Sequence, residues 1–265
     1  MSSIDQLFQR LRAENKKALM PFLTAGDPSL DFTAQAIRLF DKQGCHLCEV
    51  GIPYSDPIAD GPVIQASYTR ALEKKIKVAQ IFETLASLSS EVTMPRVTMV
   101  SYAIIHRYGL ARYVAEAQKA GIAGAIVPDL LVEEADELSA ICKKADFSLI
   151  QLVTPTTPRD RAVQIARSSS GFIYYVSVTG ITGERTALPA DLLENVRWLR
   201  TQTELPICIG FGISQPEHVK LLAPVADGLI VGSAVVRRLA EASTRPQAEV
   251  LKETGEYLKT LLAAL

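Results

Sequence analysis

Residues 49–62 read EVGIPYSDPIADGP, a carboxylate at the end of an apolar run followed by a loop with three prolines. Proline has no backbone donor and disfavours helical geometry at the residue before it, so Asp56 and Asp60 are not a helical pair despite their spacing of four. We therefore predict a strand that ends at Glu49 and a rigid loop that carries both aspartates. A strand-end glutamate with an aspartate on the next loop is suited to general acid–base chemistry.

Short apolar runs like the one that ends at Glu49 recur along the chain, with amphipathic segments of helical spacing between them. The runs are continuous rather than alternating, as expected for parallel strands that are buried on both faces. The predicted strands are Leu19–Thr24, Leu47–Val50, Val97–Tyr102, Ala123–Val127, Ser148–Val153, Phe172–Ser177, Ile207–Gly210 and Gly228–Val231. The predicted helices include Phe32–Lys42, Val63–Glu73, Val78–Ser89, Leu110–Ala120, Glu133–Lys144, Arg159–Arg167, Leu192–Thr201 and Ala234–Leu239.

Eight strand–helix units in about 250 residues predict an α/β fold, a closed (β/α)8 TIM barrel. We predict a single domain over residues 1–265, with an extra N-terminal helix and an enlarged loop-plus-helix connection after the second strand. A doubly wound dinucleotide-binding sheet is the alternative, since Gly210 and Gly212 follow a strand. The third glycine of that motif would be residue 215, which is Gln215, so the barrel is favoured.

Charge and composition exclude several classes of protein. The formal net charge is −1, and no run of lysine or arginine suits a nucleic-acid backbone. No apolar stretch reaches the roughly 18 residues of a membrane span, and the N-terminal segment lacks a signal core. We therefore expect a cytoplasmic protein that binds neither nucleic acid nor membrane.

A metal site is not expected. Cys45 and Cys48 have C-x-x-C spacing, but an odd separation along a strand directs the two sulfurs apart, and no second Cys/His pair completes a zinc site. The carboxylates near the strand ends could collect Mg²⁺, yet nothing in the sequence fixes their geometry. Structural thiols and no metal are the prediction.

Glu49 is the favoured catalytic candidate because the active site of such a barrel forms at the carboxyl ends of its strands. Leu47 and Glu49 share one face of the predicted strand, and Cys48 and Val50 share the other. If Glu49 faces the lumen, its apolar neighbours hold it in a poorly solvated mouth. The alternative is a glutamate that forms a salt bridge beneath a loop.

Glycine-rich turns follow three late strands and predict a phosphate site. They are GITG at 180–183, GFG at 210–212, and Gly232-Ser233 before the predicted helix at 234–239. Glycines let backbone N–H groups approach an anion, and a helix N-terminus adds a partial positive charge. The loops after strands 7 and 8 are the usual phosphate site of these barrels.

Six segments together resemble the tryptophan synthase alpha subunit. They are PFLTAGDPS (21–29), EVGIPYSDPIADGPVIQ (49–65), VPDLLVEEA (127–135), VSVTGITGERTALP (176–189), GFGIS (210–214) and VGSAVV (231–236). The resemblance implies a TIM barrel that cleaves indole-3-glycerol phosphate into indole and glyceraldehyde 3-phosphate without a cofactor of its own. The departures from the family pattern are mild, such as LLVEE where LPLEE is common, and none removes a catalytic group.

The resemblance also implies roles for individual residues. Glu49 resembles the general acid–base, and Asp60 resembles the carboxylate that meets the indole N–H. The indole-pocket positions or their neighbours are Phe22, Ile64, Val100, Tyr102, Val127, Leu152, Tyr174 and Phe211. The phosphate site corresponds to Gly183, Gly212, Gly232 and Ser233, and the elements that respond to a beta subunit correspond to Asp56 and Thr182.

The partner that the resemblance implies is a beta subunit with pyridoxal phosphate on its own chain, in an alpha2-beta2 tetramer. Three alternatives stay open from the sequence. The chain could be a stand-alone lyase that releases indole, a barrel isomerase that acts on another phosphorylated precursor, or a non-catalytic subunit that activates a partner.

Overall fold

The computed structural model describes residues 2–57, 60–176, 190–210 and 212–265 of the 265-residue chain. Within these ranges, nine parallel strands form one sheet in the order β5-β4-β3-β2-β1-β9-β8-β7-β6. The strands are β1 (Ala18–Thr24), β2 (Cys48–Gly51), β3 (Arg96–Met99), β4 (Ile122–Ile126), β5 (Ser148–Ile150), β6 (Leu152–Val153), β7 (Ile173–Val176), β8 (Ile207–Gly210) and β9 (Gly228–Val231).

The two strands at the ends of this order, β5 and β6, are halves of one predicted strand interrupted at Gln151. The first half pairs with β4 and the second with β7, and the Gln151 carbonyl accepts a hydrogen bond from the backbone N–H of Tyr174 at 3.1 Å. The chain therefore links the two ends of the sheet. This arrangement confirms the predicted TIM barrel, with the fifth strand split where its pairing changes sides.

Helices surround the sheet. They are α1 (Ser3–Ala13), α2 (Leu30–Gln43), α3 (Pro62–Glu73), α4 (Val78–Ser87), α5 (Tyr102–Tyr108), α6 (Leu110–Lys119), α7 (Asp136–Lys144), α8 (Arg159–Ser168), α9 (Ala190–Arg200), α10 (Pro216–Leu222), α11 (Ser233–Ala240) and α12 (Gln247–Leu262). Both α3 and α4 lie between β2 and β3, so the predicted enlarged connection after the second strand is confirmed. No helix in the described ranges is long and apolar enough to cross a membrane.

The third strand is shorter than predicted. It ends at Met99, and Tyr102 is instead the first residue of α5. The Ser101 hydroxyl accepts from the N–H of Ala103 at 3.2 Å, and the Asp129 carboxylate accepts from the N–H of Tyr102 at 2.7 Å. These two caps satisfy N–H groups that have no partner within the helix, and so they begin α5 where the sequence suggested strand.

Alternate side chains along each strand enter two separate apolar cores. The inner core fills the barrel with residues of the strands or of the positions next to them, including Met20, Phe22, Leu47, Met99, Ile126, Ile150, Tyr174, Cys208 and Ile230. The outer core lies between sheet and helices and takes the intervening residues of the strands or of the positions just after them, among them Leu19, Leu23, Cys48, Val50, Val100, Ala125, Val127, Ile209 and Leu229. Because Leu47 is inner while Cys48 and Val50 are outer, Glu49 faces the lumen.

Helix α1 closes the amino-terminal end of the barrel. Its buried residues Ile4, Leu7, Phe8 and Leu11 belong to the inner core, and the Phe8 ring lies 6.0 Å from the Phe172 ring. A capping box at Ser2 begins the helix. The predicted N-terminal helix is therefore confirmed, and it serves as an apolar plug beneath the lumen.

Candidate active site

Glu49 lies at the centre of the lumen mouth. Its strand is paired on both sides, with Glu49 opposite Phe22 of β1 and Val97 of β3. The residue is fully buried, and neither carboxylate oxygen has a hydrogen-bond partner among the described residues. Burial raises the pKa of Glu49 well above its ordinary value of 4.5. The geometry favours a neutral acid that can give up a proton, and it does not show the alternative salt bridge.

Asp60 stands at the end of the proline loop and is partly buried. Its backbone N–H donates to the Pro57 carbonyl at 3.1 Å, and the Gln65 side-chain amide donates to the Asp60 carbonyl at 2.8 Å. These bonds fix the loop end against the first turns of α3. Burial raises the pKa of Asp60 from 3.8 to about 6. The carboxyl can therefore carry a negative charge at neutral pH in a poorly solvated place.

Among the described residues, three aromatic rings line this mouth, and two glycines make room for them. A Cβ at Gly51 would stand 2.5 Å from the Phe22 ring and 2.9 Å from the Tyr68 hydroxyl. A Cβ at Gly210 would stand 2.6 Å from the Tyr174 ring. Any larger residue at either position would displace a ring. The result is an apolar lining that suits a flat aromatic ligand.

The structure brings together only part of the predicted indole pocket. Four of the predicted residues belong to the inner core or pack against it, namely Phe22, Ile64, Leu152 and Tyr174. Val100 and Val127 belong to the outer core, since they follow inward-facing Met99 and Ile126 by one residue. Tyr102 packs partly buried against the outer core from α5. Phe211 lies outside the described residues.

Two of the predicted phosphate loops lie at the same end of the barrel. Gly212 follows β8 with a φ of +80°, a conformation that favours glycine. Gly232 follows β9 and precedes α11, whose first residue is Ser233. A Cβ at Gly232 would meet Phe22 at 4.0 Å and nothing nearer, so open space adjoins it. Gly183 and Thr182 lie outside the described residues.

Asp56 lies on the exposed part of the proline loop. Its carboxylate accepts a 2.5 Å hydrogen bond from the neighbouring Ser55 hydroxyl, and both side chains are exposed. The residue is therefore placed on the surface at the carboxyl-end face rather than in the lumen.

The sequence did not single out an ion pair that anchors the site. Asp27, after β1, accepts from Arg70 of α3 through both carboxylate oxygens, at 2.9 and 2.6 Å. One turn earlier the Ser67 hydroxyl lies 2.6 Å from the Thr24 hydroxyl. Nothing local in the sequence marks these pairs, since each joins residues 43 apart. They fix α3 beside β1 and use Asp27 structurally.

Metal and thiol chemistry find no support in the described ranges. No group of three or more His, Cys, Asp or Glu side chains there could hold a metal ion. Cys45, Cys48, Cys142 and Cys208 are free and buried. Burial raises the pKa of Cys45 and of Cys142 to about 12, which keeps these thiols protonated and unreactive.

Comparison with known proteins agrees with the sequence motifs. A family model described as tryptophan synthase alpha chain matches residues 8–263. The tryptophan synthase alpha chain of Rhodopirellula baltica is 58% identical over 275 residues, which cover 100% of this chain and 99% of the relative. That of Rippkaea orientalis is 44% identical over 266 residues, which cover 100% and 98%.

A solved structure is similar over the same length. The crystal structure of tryptophan synthase subunit alpha from Legionella pneumophila superposes with a TM-score of 0.91 at 34% identity, covering 100% of this chain and 98% of that one. The fold, the motifs and the relatives agree along the whole sequence. The chain belongs to the tryptophan synthase alpha chain family.

Proposed function

We propose that Glu49 is the general acid–base, and Asp60 the charge-stabilising carboxylate, of the lyase reaction that this family performs. In that reaction indole-3-glycerol phosphate is cleaved by retro-aldol chemistry into indole and glyceraldehyde 3-phosphate, late in tryptophan biosynthesis. One observation carries the assignment. Glu49 is a fully buried carboxyl without a hydrogen-bond partner in the described structure, and it faces an aromatic-lined lumen at the carboxyl ends of the strands.

The chemistry needs two proton transfers that one carboxyl can perform. Neutral Glu49 gives its proton to indole C3, and the resulting carboxylate takes the proton of the substrate hydroxyl as the carbon–carbon bond breaks. The protonated indole carries positive charge near its nitrogen. A carboxylate at Asp60 stabilises that charge electrostatically and need not exchange a proton itself.

The indole ring and the phosphate of the substrate bind to different parts of the lumen mouth. We assign the indole ring to the surface formed by Phe22, Ile64, Leu152 and Tyr174, with Phe211 beyond the described residues. Val100, Val127 and Tyr102 support that surface from behind the sheet. The phosphate is assigned to the turns at Gly212 and Gly232–Ser233, together with Gly183. Binding energy from the distant phosphate can orient the reacting carbon against Glu49.

Membership of the family implies a beta-subunit partner. We propose an alpha2-beta2 tetramer in which the beta subunit holds pyridoxal phosphate, while this chain needs no cofactor or metal for the lyase step. The exposed loop that carries Asp56, and the loop around Thr182, are the proposed points of coupling. We further propose that residues 1–265 act as a single domain in the cytoplasm.

The test is turnover of indole-3-glycerol phosphate by Glu49→Gln. The amide is nearly isosteric but cannot transfer protons, so we expect a loss of at least about 10²–10⁴-fold in kcat with the fold intact. Asp60→Asn should also be severely impaired. The matched control is Glu91→Gln, the same change at an exposed carboxylate that pairs with Arg38. Normal turnover by folded Glu49→Gln would refute the assignment.

A further inference from the structure

The Tyr68 hydroxyl is a second buried polar group near the lumen mouth, besides the Glu49 carboxyl, that has no hydrogen-bond partner among the described residues. The Tyr68 side chain projects from α3 into the inner core and is 1% exposed. A buried hydroxyl that bonds nothing costs stability, typically about 1–3 kcal/mol. A group kept at such a cost is a candidate for function.

The hydroxyl of Tyr68 lies on the same side of β2 as the Glu49 side chain. It would be 2.9 Å from a Cβ placed on Gly51, and Gly51 follows Glu49 by two residues. Side chains two apart on a strand share a face and are separated by roughly 7 Å along it. An extended glutamate side chain can span about half of that separation. The Tyr68 hydroxyl and the Glu49 carboxyl, neither of which has a hydrogen-bond partner among the described residues, therefore lie in the same part of the lumen mouth.

The surroundings keep Tyr68 protonated and so leave it a donor. Burial is the main cause that raises its pKa, and the charges of Asp60, Tyr54 and Glu49 raise it further. The Tyr54 ring packs against the Tyr68 ring at 5.5 Å. Burial and the Glu49 charge also raise the pKa values of Tyr174 and Cys208, two other members of the inner core.

The residues that flank Tyr68 hold it in place. Ser67 bonds to Thr24, and Arg70 bonds to Asp27 through both carboxylate oxygens. Both contacts tie α3 to the carboxyl end of β1, on either side of Tyr68. The hydroxyl is thus held on a rigid element, as a group that orients another needs to be.

We propose that Tyr68 is a positioning residue for Glu49. When Glu49 gives its proton to the substrate carbon, the Tyr68 hydroxyl donates a hydrogen bond to the new carboxylate and keeps its own proton. The carboxylate then takes the proton of the substrate hydroxyl, and Glu49 returns to the neutral acid. This inference rests on the proposed role of Glu49 and adds a second group to it.

The experiment is Tyr68→Phe, which keeps the ring and removes only the hydroxyl. A hydrogen bond to a charged group is lost, so we expect kcat to fall about 10- to 100-fold with KM nearly unchanged. The lost donor also disfavours the Glu49 carboxylate, so the alkaline limb of the rate profile should move up by about one pH unit. The melting temperature should stay equal or rise, because an unsatisfied hydroxyl has been removed.

The matched control is Tyr113→Phe, in the outer core, where the hydroxyl has a partner in Thr98 at 2.9 Å. It should lose stability and leave kcat and the pH profile unchanged. Wild-type kinetics in Tyr68→Phe, a rise in KM alone, or a clear loss of stability would each overturn the inference. An inactive Glu49→Gln beside a fully active Tyr68→Phe would reject the role of Tyr68 alone, whereas an active Glu49→Gln would reject the proposed function.

Discussion

At the scale of single residues, the buried state of Glu49 has a thermodynamic cost. A carboxylate that is removed from water without a hydrogen-bond donor is strongly disfavoured, so the folded protein holds it as the neutral acid. The unfolded chain ionises the same group freely. The neutral Glu49 side chain that we propose for catalysis is therefore compatible with a stable fold at low pH. At high pH, where the free carboxyl would ionise, its burial destabilises the folded protein.

We predict that Glu49→Gln becomes more stable than the wild type as the pH rises. The pKa of Glu49 in the folded protein lies well above 4.5, its ordinary value. The protonated Glu49 side chain therefore contributes its full stabilisation to the folded state below pH 4.5. This stabilisation is then lost by about 1.4 kcal/mol per pH unit until the folded pKa is reached. Urea unfolding of both proteins at pH 5 and pH 8 measures the difference. Stability curves that stay parallel between these two pH values would show that Glu49 ionises in the folded state as it does in water.

At the scale of elements, α3 connects the chemistry to the barrel. It carries Tyr68 and Ile64 into the lumen, and Arg70 joins it to buried Asp27. The Asp27 side chain is 3% exposed and that of Arg70 is 33% exposed. Removal of the arginine would leave a buried carboxylate without its ion-pair partner, which costs more than the loss of a surface pair.

We predict that Arg70→Met destabilises the protein by about 1–3 kcal/mol and lowers lyase turnover, because α3 loses its attachment beside the site. Arg38→Met is the control, since the Arg38–Glu91 pair is exposed on both sides. That variant should lose at most about 1 kcal/mol. Chemical denaturation and steady-state turnover measure both effects, and equal losses in the two variants would contradict the proposed anchoring role.

The turn at Gly212 allows a separate test of phosphate binding. Gly212→Val should weaken the binding of phosphate esters more than that of a phosphate-free indole analogue, because the side chain fills the approach to the backbone N–H groups. Gly44→Val is the control, since Gly44 has a similar φ of +85° at the end of α2 with nothing within 4 Å of its Cβ position. Both variants should lose stability. Calorimetry with the two ligands separates a loss of phosphate binding from a general loss of stability. If Gly212→Val weakened the binding of both ligands equally, the glycine would serve the fold alone.

The sequence predicted most of the elements, and its failures have physical causes. Continuous apolar runs marked the strands, but they do not reveal which face is inward, because both faces of a barrel strand are buried. The sequence could therefore not show that Val100 and Val127 belong to the outer core while Met99 and Ile126 belong to the inner one. The sequence extends the third strand to Tyr102, because nothing near Tyr102 in the sequence marks the Asp129 cap, 27 residues away, that begins α5. Tyr68 and the Asp27–Arg70 pair also depend on contacts distant in sequence.

In the molecule as a whole, one end of the barrel is closed and the other carries the candidate site. The amino-terminal end is closed by α1 and by Asp227, which forms ion pairs with Arg12 of α1, at 3.6 Å, and with Arg200 of α9. The same carboxylate accepts from the N–H of Ile207 at 2.8 Å. The carboxyl-terminal end carries the candidate site and the exposed Asp56. A partner that controls the reaction is therefore expected at the carboxyl-terminal face.

We predict that a beta subunit raises the lyase rate of this chain, since closure of loops over a site excludes water and completes its geometry. Asp56→Ala should reduce this activation while its melting temperature stays within a degree or two, because the side chain is exposed and bonds only its neighbour in the described structure. The measurement is glyceraldehyde 3-phosphate formation during titration with the beta subunit. A flat titration, with no complex by calorimetry, would favour a stand-alone lyase.

The pairing of β1 with β9 has a consequence for how the chain is made. Ala18 aligns with Gly228, so one edge of the first strand stays unpaired until the segment that begins at residue 228 has left the ribosome. An exposed strand edge of this kind invites pairing with other chains. Nascent chains that stall before residue 228 should therefore depend on chaperones more than the finished protein does. Pulse-labelled hydrogen exchange during refolding should find the amides of β1 that face β9 among the last to be protected.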